Sequence, residues 1–301
     1  MQTNPYERVD PAFGSLIIGH AQVEQLWTGG RWLEGPVYWP DAGMLVYSDI
    51  PNNRILRWCQ GDSVTVFRAP ANYANGNTRD PEGRLVTCEH GGRRVTRTEH
   101  DGSVTVLADR FEGRRFNSPN DVVVSRDGAV WFTDPDYGIA SDYEGYRGES
   151  ELGSNDVYRI PPEGGEPQRV AGDFVKPNGI AFSPDEMTLY VSDTGRGEGP
   201  DGPPHIRRFA VGGNGALSGG DVFALVDPPA SDGFRVDEYG NVWTSAGDGV
   251  HCYAPDGRLL GKVLLPERVS NVAFGGPDHN RLFMTATTSL YSIFLAVRGH
   301  A

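Results

Sequence analysis

One sequence pattern recurs six times along the 301-residue chain, and it constrains the fold more than any other feature. Each copy contains a short apolar strand, a turn rich in Gly, Asp or Pro, and a second strand that ends in an acidic or small residue. The copies start 41, 45, 58, 54 and 38 residues apart, at Glu34, Asn75, Asn120, Asn178, Asp232 and Ser270. Repeats of roughly 40 to 50 residues built from short strands are typical of β-propeller blades.

The strand count also predicts how the ring of blades closes. A third and a fourth strand follow most copies, but the sixth copy has no fourth strand of its own. An unpartnered strand, residues 23–29, precedes the first copy. If it pairs with the sixth copy, it completes that blade and removes an open sheet edge. The sequence therefore predicts an all-β, six-bladed propeller with four antiparallel strands per blade, as one domain over residues 1–301, with residues 1–22 as an N-terminal extension.

The first residue of every copy is polar, and these equivalent positions should form a ring around the central channel. Two of them, Glu34 and Asp232, are carboxylates, and three are asparagines. The second copy is less regular, so Asn77 could replace Asn75 there. Carboxylates that face each other in a buried ring repel unless a cation compensates them. Oxygen-only ligands in a wide ring favour Ca²⁺. We therefore expect one divalent cation, Ca²⁺ first, with Mg²⁺, Mn²⁺ or Zn²⁺ as alternatives.

An alternative interpretation applies to each of these positions taken singly. An isolated Asn-Gly or Asp-Gly is more often a turn than a ligand, and only the recurrence in one register favours a ring of ligands. A second recurrent set, Asp49, Asp134 and Asp193, ends the second strands. We expect these carboxylates to bond loop amides between blades. Asp134 also begins a long irregular loop, roughly residues 135–155, which is predicted to cover the active face.

Composition and charge exclude several classes of function. The net charge of −13 disfavours binding to nucleic acid and docking on anionic membranes. The three cysteines are odd in number and form no CxxC pair, which argues against a disulfide framework or a zinc ribbon. There is no run of 18 apolar residues, and residues 1–20 lack the pattern of a signal peptide. We expect a soluble protein of the cytoplasm or periplasm, monomeric or a small homo-oligomer.

Several motifs, taken together, carry a family resemblance. The segments EGPVYW, NSPNDVV, WFTDPDYGI, KPNGIAFSPD and SDGFRVDEYGN resemble the SMP-30/gluconolactonase/LRE family, in particular its bacterial gluconolactonases. The resemblance implies a six-bladed propeller with a catalytic divalent cation, usually Ca²⁺, and hydrolysis of sugar lactones, a carboxylic-ester hydrolase activity. It implies that the metal ligands are Glu34, Asn120, Asn178 and Asp232. It further implies that Asp232 is the general base and that Asp121 supports the metal or helps to hold a second one. Asp134 is kept as another candidate for such a role because it begins the long loop.

A sugar lactone also needs polar groups around the rim of its site. The candidates for substrate contact are His90, Asn75, Asn77, Tyr137, Tyr146 and Arg115. Two alternatives remain open at this point. One is a hydrolase of phosphotriesters that uses the same cation, and the other is a non-catalytic propeller in which the ion is structural. The nucleophile motif G-x-S-x-G and the zinc motif HExxH are both absent from the sequence.

Overall fold

A computed structural model describes residues 4–195, 199, 202–228 and 231–300, and these residues form a six-bladed β-propeller. In each blade the strands follow the chain outward from the central channel and pair antiparallel with their neighbours. The strands of the first three blades are, in order, Leu33–Trp39, Met44–Asp49, Arg54–Cys59 and Thr65–Arg68; Ala74–Arg79, Leu85–Glu89, Arg94–Thr98 and Val104–Ala108; and Val122–Val124, Val130–Asp134, Asn155–Ile160 and Gln168–Phe174.

The second half of the chain builds the other three blades in the same way. Their strands are Pro177–Phe182, Thr188–Asp193, His205–Val211 and Leu217–Leu225; Phe234–Val236, Val242–Ala246, Gly249–Tyr253 and Leu259–Leu264; and Val269–Gly275, Arg281–Ala286 and Ser289–Phe294. The described residues also form short elements outside these strands: a ribbon of Arg110–Phe111 with Arg114–Arg115, 3₁₀ turns Pro11–Ser15 and Ile50–Asn52, and one α-helical turn, Tyr137–Ala140. No helix of the described residues is long and apolar enough to cross a membrane.

The N-terminal strand closes the ring, as the sequence predicts. Glu24–Thr28 pairs antiparallel with Ser289–Phe294 and supplies the outermost strand of blade six. Joining the first and last parts of the chain within one sheet leaves the propeller without a gap between its first and last blades. The predicted fold class is therefore confirmed, including this mode of closure.

The residues before the closing strand pack against the propeller. Tyr6–Arg8 adds a fifth strand to the outer edge of blade five, with Tyr6 opposite Val263. Phe13 is fully buried, and its ring lies 5.9 Å from that of Trp243 and 6.2 Å from that of Tyr6. The stretch predicted only as an extension thus contributes both a strand and a core side chain.

Aromatic side chains pack between neighbouring blades and hold the inner strands in register. Tyr38 of blade one stacks on Phe283 of blade six with ring centres 5.6 Å apart. Trp131 of blade three meets Phe182 of blade four edge-on at 5.5 Å. Burying side chains of this size contributes roughly 1.5–3 kcal/mol each. This packing fixes the inner strands at the ends opposite those that carry the predicted ring.

Candidate active site at the channel mouth

The six predicted ring positions lie together at the start of the inner strands, and hydrogen bonds run between the blades there. The amide of Gly76 donates to the carbonyl of Asn120 at 2.8 Å, and the amide of Gly179 donates to that of Asp232 at 2.9 Å. The next step follows the same rule, because Gly233 donates to Ser270 at 2.7 Å. The main-chain oxygens of these residues thus accept hydrogen bonds from the neighbouring blade, and the side chains of the ring remain available for other partners.

The glycines that follow Asn75 and Asn178 are required because the main chains of neighbouring blades approach each other closely there, and not because the chain turns. A Cβ on Gly179 would lie 2.2 Å from the carbonyl oxygen of Asp232, and one on Gly76 would lie 2.4 Å from that of Asn120. Neither glycine has a positive φ angle. The turn interpretation of these two dipeptides therefore does not apply, and the glycines are there because neighbouring blades nearly touch at the ring.

Glu34 and Asp232 meet in the ring, and each changes the other's protonation. Glu34 is 4% exposed, and its Oε2 accepts from the Gly35 amide at 2.7 Å and from Asn271 Nδ2 at 3.0 Å. Burial, followed by the charges of Asp232 and Asp121, raises the pKa of Glu34 well above its usual value. Two carboxyl groups held this way are stabilised as a charged pair only by a cation.

Asp232 shows the same effect. Burial, then the charges of Glu144 and Asp121, raise its pKa to about 8, while Arg268 and a hydrogen bond with Glu34 act in the opposite direction. Asp232 is also the more accessible of the two ring carboxylates. Of the two, it is therefore the better placed to meet a ligand that enters the channel.

The two remaining predicted ligands offer amide oxygens. Asn120 is 4% exposed, and its side chain forms no hydrogen bond with another described residue. Asn178 is 6% exposed, and its Nδ2 contacts Thr194 Oγ1 at 3.4 Å, which leaves its oxygen available. Within the described part of the chain, no group of three or more His, Cys, Asp or Glu side chains could hold a metal. A cation here would depend on amide oxygens beside two carboxylates, a donor set that fits Ca²⁺ or Mg²⁺.

Asp121 lies one residue beyond the ring, on the side away from the mouth. Its Oδ1 accepts from the Val122 amide at 2.9 Å, and its Oδ2 accepts from the Ile180 amide at 3.3 Å and lies 3.7 Å from Arg235 Nη1. Arg235 in turn lines a cavity of about 470 Å³ at the other end of the channel. This arrangement favours a supporting role for Asp121, with its charge balanced by an arginine.

Asp134 lies at the end of a second strand, and its carboxylate accepts hydrogen bonds from the segment that leads into the ring. Its two carboxylate oxygens accept from the amides of Asn117 and Ser118, each at 2.8 Å. Asp193 does the same for Val175 and Lys176, at 2.9 and 2.8 Å. These aspartates therefore bond loop amides, as expected, and fix the segments just before Asn120 and Asn178.

The predicted substrate contacts of blade two separate into different roles. Asn75 is 4% exposed and its Oδ1 is buried without a hydrogen-bond partner among the described residues. Asn77 is fully buried in the wall of the channel. Its Nδ2 donates to the Gly35 carbonyl and to Ser48 Oγ, and its Oδ1 accepts from Thr87 Oγ1. Asn75, rather than Asn77, therefore occupies the ring position. His90 is fully buried beside Asn75. Its position after a strand predicts a side chain exposed at the channel mouth, but the imidazole is not exposed there.

The other three candidates lie at different distances from the ring. Tyr137 shares a hydrogen bond of 2.6 Å with Thr194, the partner of Asn178, and so lies beside the ring. Tyr146 is 60% exposed and packs edge-on against Tyr73 at the rim. Arg115 belongs to the ribbon beside blade three, where its amide donates to Glu151.

Sequence reasoning missed two side chains that the fold brings to the site. Glu144, in the long loop, has a charge that raises the pKa of Asp232, and burial raises its own pKa to about 7. Asn271 orients Glu34 from blade six. The loop contains several acidic residues, and nothing in the pattern distinguishes Glu144 from the others. Asn271 follows the ring residue Ser270, so the register of the repeat was the signal that could have found it.

A family model described as the SMP-30/Gluconolactonase/LRE-like region matches residues 32–288, which span all six ring positions. The chain belongs to this family. A gluconolactonase of Zymomonas mobilis is 30% identical, over 95% of this chain and 85% of its own length.

Two solved structures show the family fold. A gluconolactonase from Xanthomonas campestris has a TM-score of 0.90 and 41% identity, covering 97% of this chain and 95% of its own. A calcium-binding regucalcin from Agrobacterium tumefaciens has a TM-score of 0.74 and 21% identity, covering 92% of this chain and 94% of its own. The second likeness is one of fold alone.

Proposed function

We propose that this family member hydrolyses a sugar (aldono) lactone, such as D-glucono-1,5-lactone, to the aldonic acid with the help of one divalent cation. The relatives named gluconolactonase support lactone hydrolysis. The observation that supports the metal dependence is that the buried carboxyl group of Glu34 lies beside the half-buried one of Asp232, in a ring completed by amide oxygens. Without a cation, the two groups can both be charged only at the cost of mutual repulsion.

Glu34, Asn120, Asn178 and Asp232 would hold the cation, and we assign Ca²⁺. All four offer hard oxygen donors, and the two carboxylates balance the charge of a dication. A cation bound there would act as a Lewis acid toward the lactone carbonyl. Glu34 is held by two hydrogen bonds to one oxygen, and this fixed position suits a ligand that does not move during the reaction.

Asp232 would act as the general base. It would take a proton from the water that attacks the carbonyl carbon, and a new carbon–oxygen bond would form. The bond between that carbon and the ring oxygen would then break, and the ring oxygen would receive the proton as a hydroxyl group. Atoms balance as one lactone plus one water giving one aldonic acid. Asp232 fits this task because it is less buried than Glu34 and lies beside it.

The rim around the ring favours a hydroxylated substrate over a phosphotriester. Asn75 presents an unpartnered oxygen, Tyr137 a hydroxyl group beside Thr194, and Glu144 a carboxyl group near Asp232. A buried acceptor such as the Asn75 oxygen favours a ligand that donates a hydrogen bond to it and penalises one that cannot. A phosphotriester with apolar substituents would leave the Asn75 oxygen without a donor.

The test is opening of D-glucono-1,5-lactone above the spontaneous rate, after chelation and after return of Ca²⁺. Asp232→Asn should lose at least 100-fold in kcat, because general bases typically contribute about 10²–10⁴-fold. Asp256→Asn is the matched control and should keep full activity, because Asp256 lies in a turn of the same blade, where it accepts from the Arg258 amide and pairs with the Arg258 guanidinium.

Any other result of this assay would overturn part of the proposal or favour one of the alternative functions. Full activity after exhaustive chelation would overturn the metal dependence. An Asp232→Asn variant with wild-type kcat would overturn the role of the base. Activity on phosphotriesters alone would favour the second hydrolase interpretation, and activity on neither substrate would favour a non-catalytic propeller.

A further inference from the structure

His90 joins the long loop to the ring through two hydrogen bonds. It follows the second strand of blade two and is fully buried. Its Nδ1 lies 3.0 Å from the main-chain carbonyl of Glu144, and its Nε2 lies 3.2 Å from Nδ2 of Asn75. A carbonyl oxygen can only accept, so Nδ1 must carry the hydrogen. Burial lowers the pKa of His90 to about 4, so Nε2 is an acceptor at neutral pH.

The tautomer of His90 therefore determines which way the Asn75 amide points. The NH₂ group must face the imidazole, and Oδ1 is left on the other side. That oxygen is buried and has no hydrogen-bond partner among residues 4–195, 199, 202–228 and 231–300. The main-chain oxygen of Asn75 is already used by Ser48 at 2.7 Å, so the residue is held from both ends. An oriented, unpaired acceptor in a polar ring is suited to receive a hydrogen bond from a ligand.

The loop end of this connection is closely packed. The Gly138 amide donates to Ser118 Oγ at 2.9 Å, and a Cβ on Gly138 would lie only 2.6 Å from the His90 side chain. Farther along, the Gly148 amide donates to the carbonyl of Ile139 at 2.9 Å. The loop thus sits on His90 as a fixed lid over blades two and three.

We propose that His90 is a positioning residue: it couples the seating of the lid, residues 135–154, to the orientation of the Asn75 amide, which accepts a hydroxyl group of the substrate. The hydroxyl part of this inference rests on the proposed function. The coupling between lid and ring rests only on the hydrogen bonds. His90 itself does not touch the substrate, and its effect passes through Asn75.

Two substitutions separate the two hydrogen bonds. In His90→Asn the shorter amide can still reach the Glu144 carbonyl near the place of Nδ1, but it no longer meets Asn75. We expect KM for D-glucono-1,5-lactone to rise about tenfold with kcat within threefold. In a double-mutant cycle, His90→Asn combined with Asn75→Ala should be no worse than Asn75→Ala alone. An unchanged KM, or effects that add fully, would overturn the proposal.

His90→Gln tests the lid without any substrate. Its amide reaches the place of Nε2 and gives up the bond to the lid, so the backbone amides of residues 141–150 should exchange with deuterium at least tenfold faster. Unchanged exchange would refute the coupling. This arm remains decisive if the wild type opens no lactone, an outcome that would remove the hydroxyl contact together with the proposed function.

His279→Asn is the matched control for both variants. His279 also points Nδ1 at a main-chain carbonyl, that of Gly299, at 3.0 Å, but it belongs to a turn of blade six remote from the ring. KM and deuterium exchange in the lid should equal those of the wild type. The affinity for Ca²⁺, measured by calorimetry, should stay within twofold in His90→Asn. A larger loss would make Asn75 a cation ligand and overturn its assignment to the substrate.

Discussion

Asn271 holds Glu34 in position from the neighbouring blade, and replacing it by alanine tests whether Glu34 binds the cation. Its Nδ2 donates to Glu34 Oε2 at 3.0 Å, while its own Oδ1 accepts from the Val272 amide. A hydrogen bond to a charged group contributes about 1.5–3 kcal/mol. The Gly35 amide remains on the same oxygen in the variant. We therefore take the lower part of that range, about 1.5–2 kcal/mol, which corresponds to Ca²⁺ binding weakened roughly 10- to 30-fold.

Calorimetric titration of chelator-stripped protein with Ca²⁺ measures this effect directly. Asn280→Ala is the matched control, because Asn280 Nδ2 donates to the Leu295 carbonyl at 3.0 Å in the same blade but away from the ring. Its dissociation constant should stay within twofold of the wild type. If Asn271→Ala keeps its fold by circular dichroism and binds Ca²⁺ as tightly as the wild type, the reasoning that Asn271 orients a ligand is refuted.

Three further predictions concern stability. The pKa of His90 in the folded protein, about 4, lies below that of an unfolded histidine. The free energy of unfolding is therefore highest above about pH 6.5 and decreases as the pH falls, because protonation of His90 then favours the unfolded chain. Between pH 7.5 and 5.0, the free energy of urea unfolding should decrease by about 2 kcal/mol more in the wild type than in His90→Asn. Asp193→Asn should cost about 1–3 kcal/mol by chemical denaturation, because its carboxylate accepts from two loop amides and an amide side chain cannot satisfy both; a cost under 0.5 kcal/mol would contradict this. Phe13→Ala should cost about 3–5 kcal/mol if the N-terminal stretch belongs to the core, and an unchanged unfolding midpoint would show that it does not.

The repeat made most of the architecture predictable. A strand pairs with its neighbour through a local turn, so four-strand units can be recognised from residues that lie close together in the chain. The missing fourth strand of the last unit and the spare strand near the start indicated closure by residues 23–29, and the structure pairs Glu24–Thr28 there. The N-terminal 3₁₀ turn with Phe13 had no counterpart in the repeat, so its packing on Trp243 could not be predicted.

Within the candidate site, the ring followed from register, but the roles of individual residues did not. Asn75 and Asn77 have the same chemistry two residues apart, and only their burial and partners show that Asn77 belongs to the wall. His90 looked like a rim residue because it follows a strand. Gly138 packs against its side chain and the Glu144 carbonyl bonds its Nδ1, so the long loop covers it instead.

The amino-acid sequence alone determined the number of blades, their closure and the set of polar residues at the inner ends, because each depends on a local pattern that repeats. Only the tertiary structure decided which partner each polar atom meets. Glu34 meets Asp232, which lies 198 residues further along the chain, only because of how the blades pack. The packing of the long loop likewise brings Glu144 close to that pair. Hydrogen bonds act over about 3 Å, and distances that short between remote residues exist only after the ring has closed.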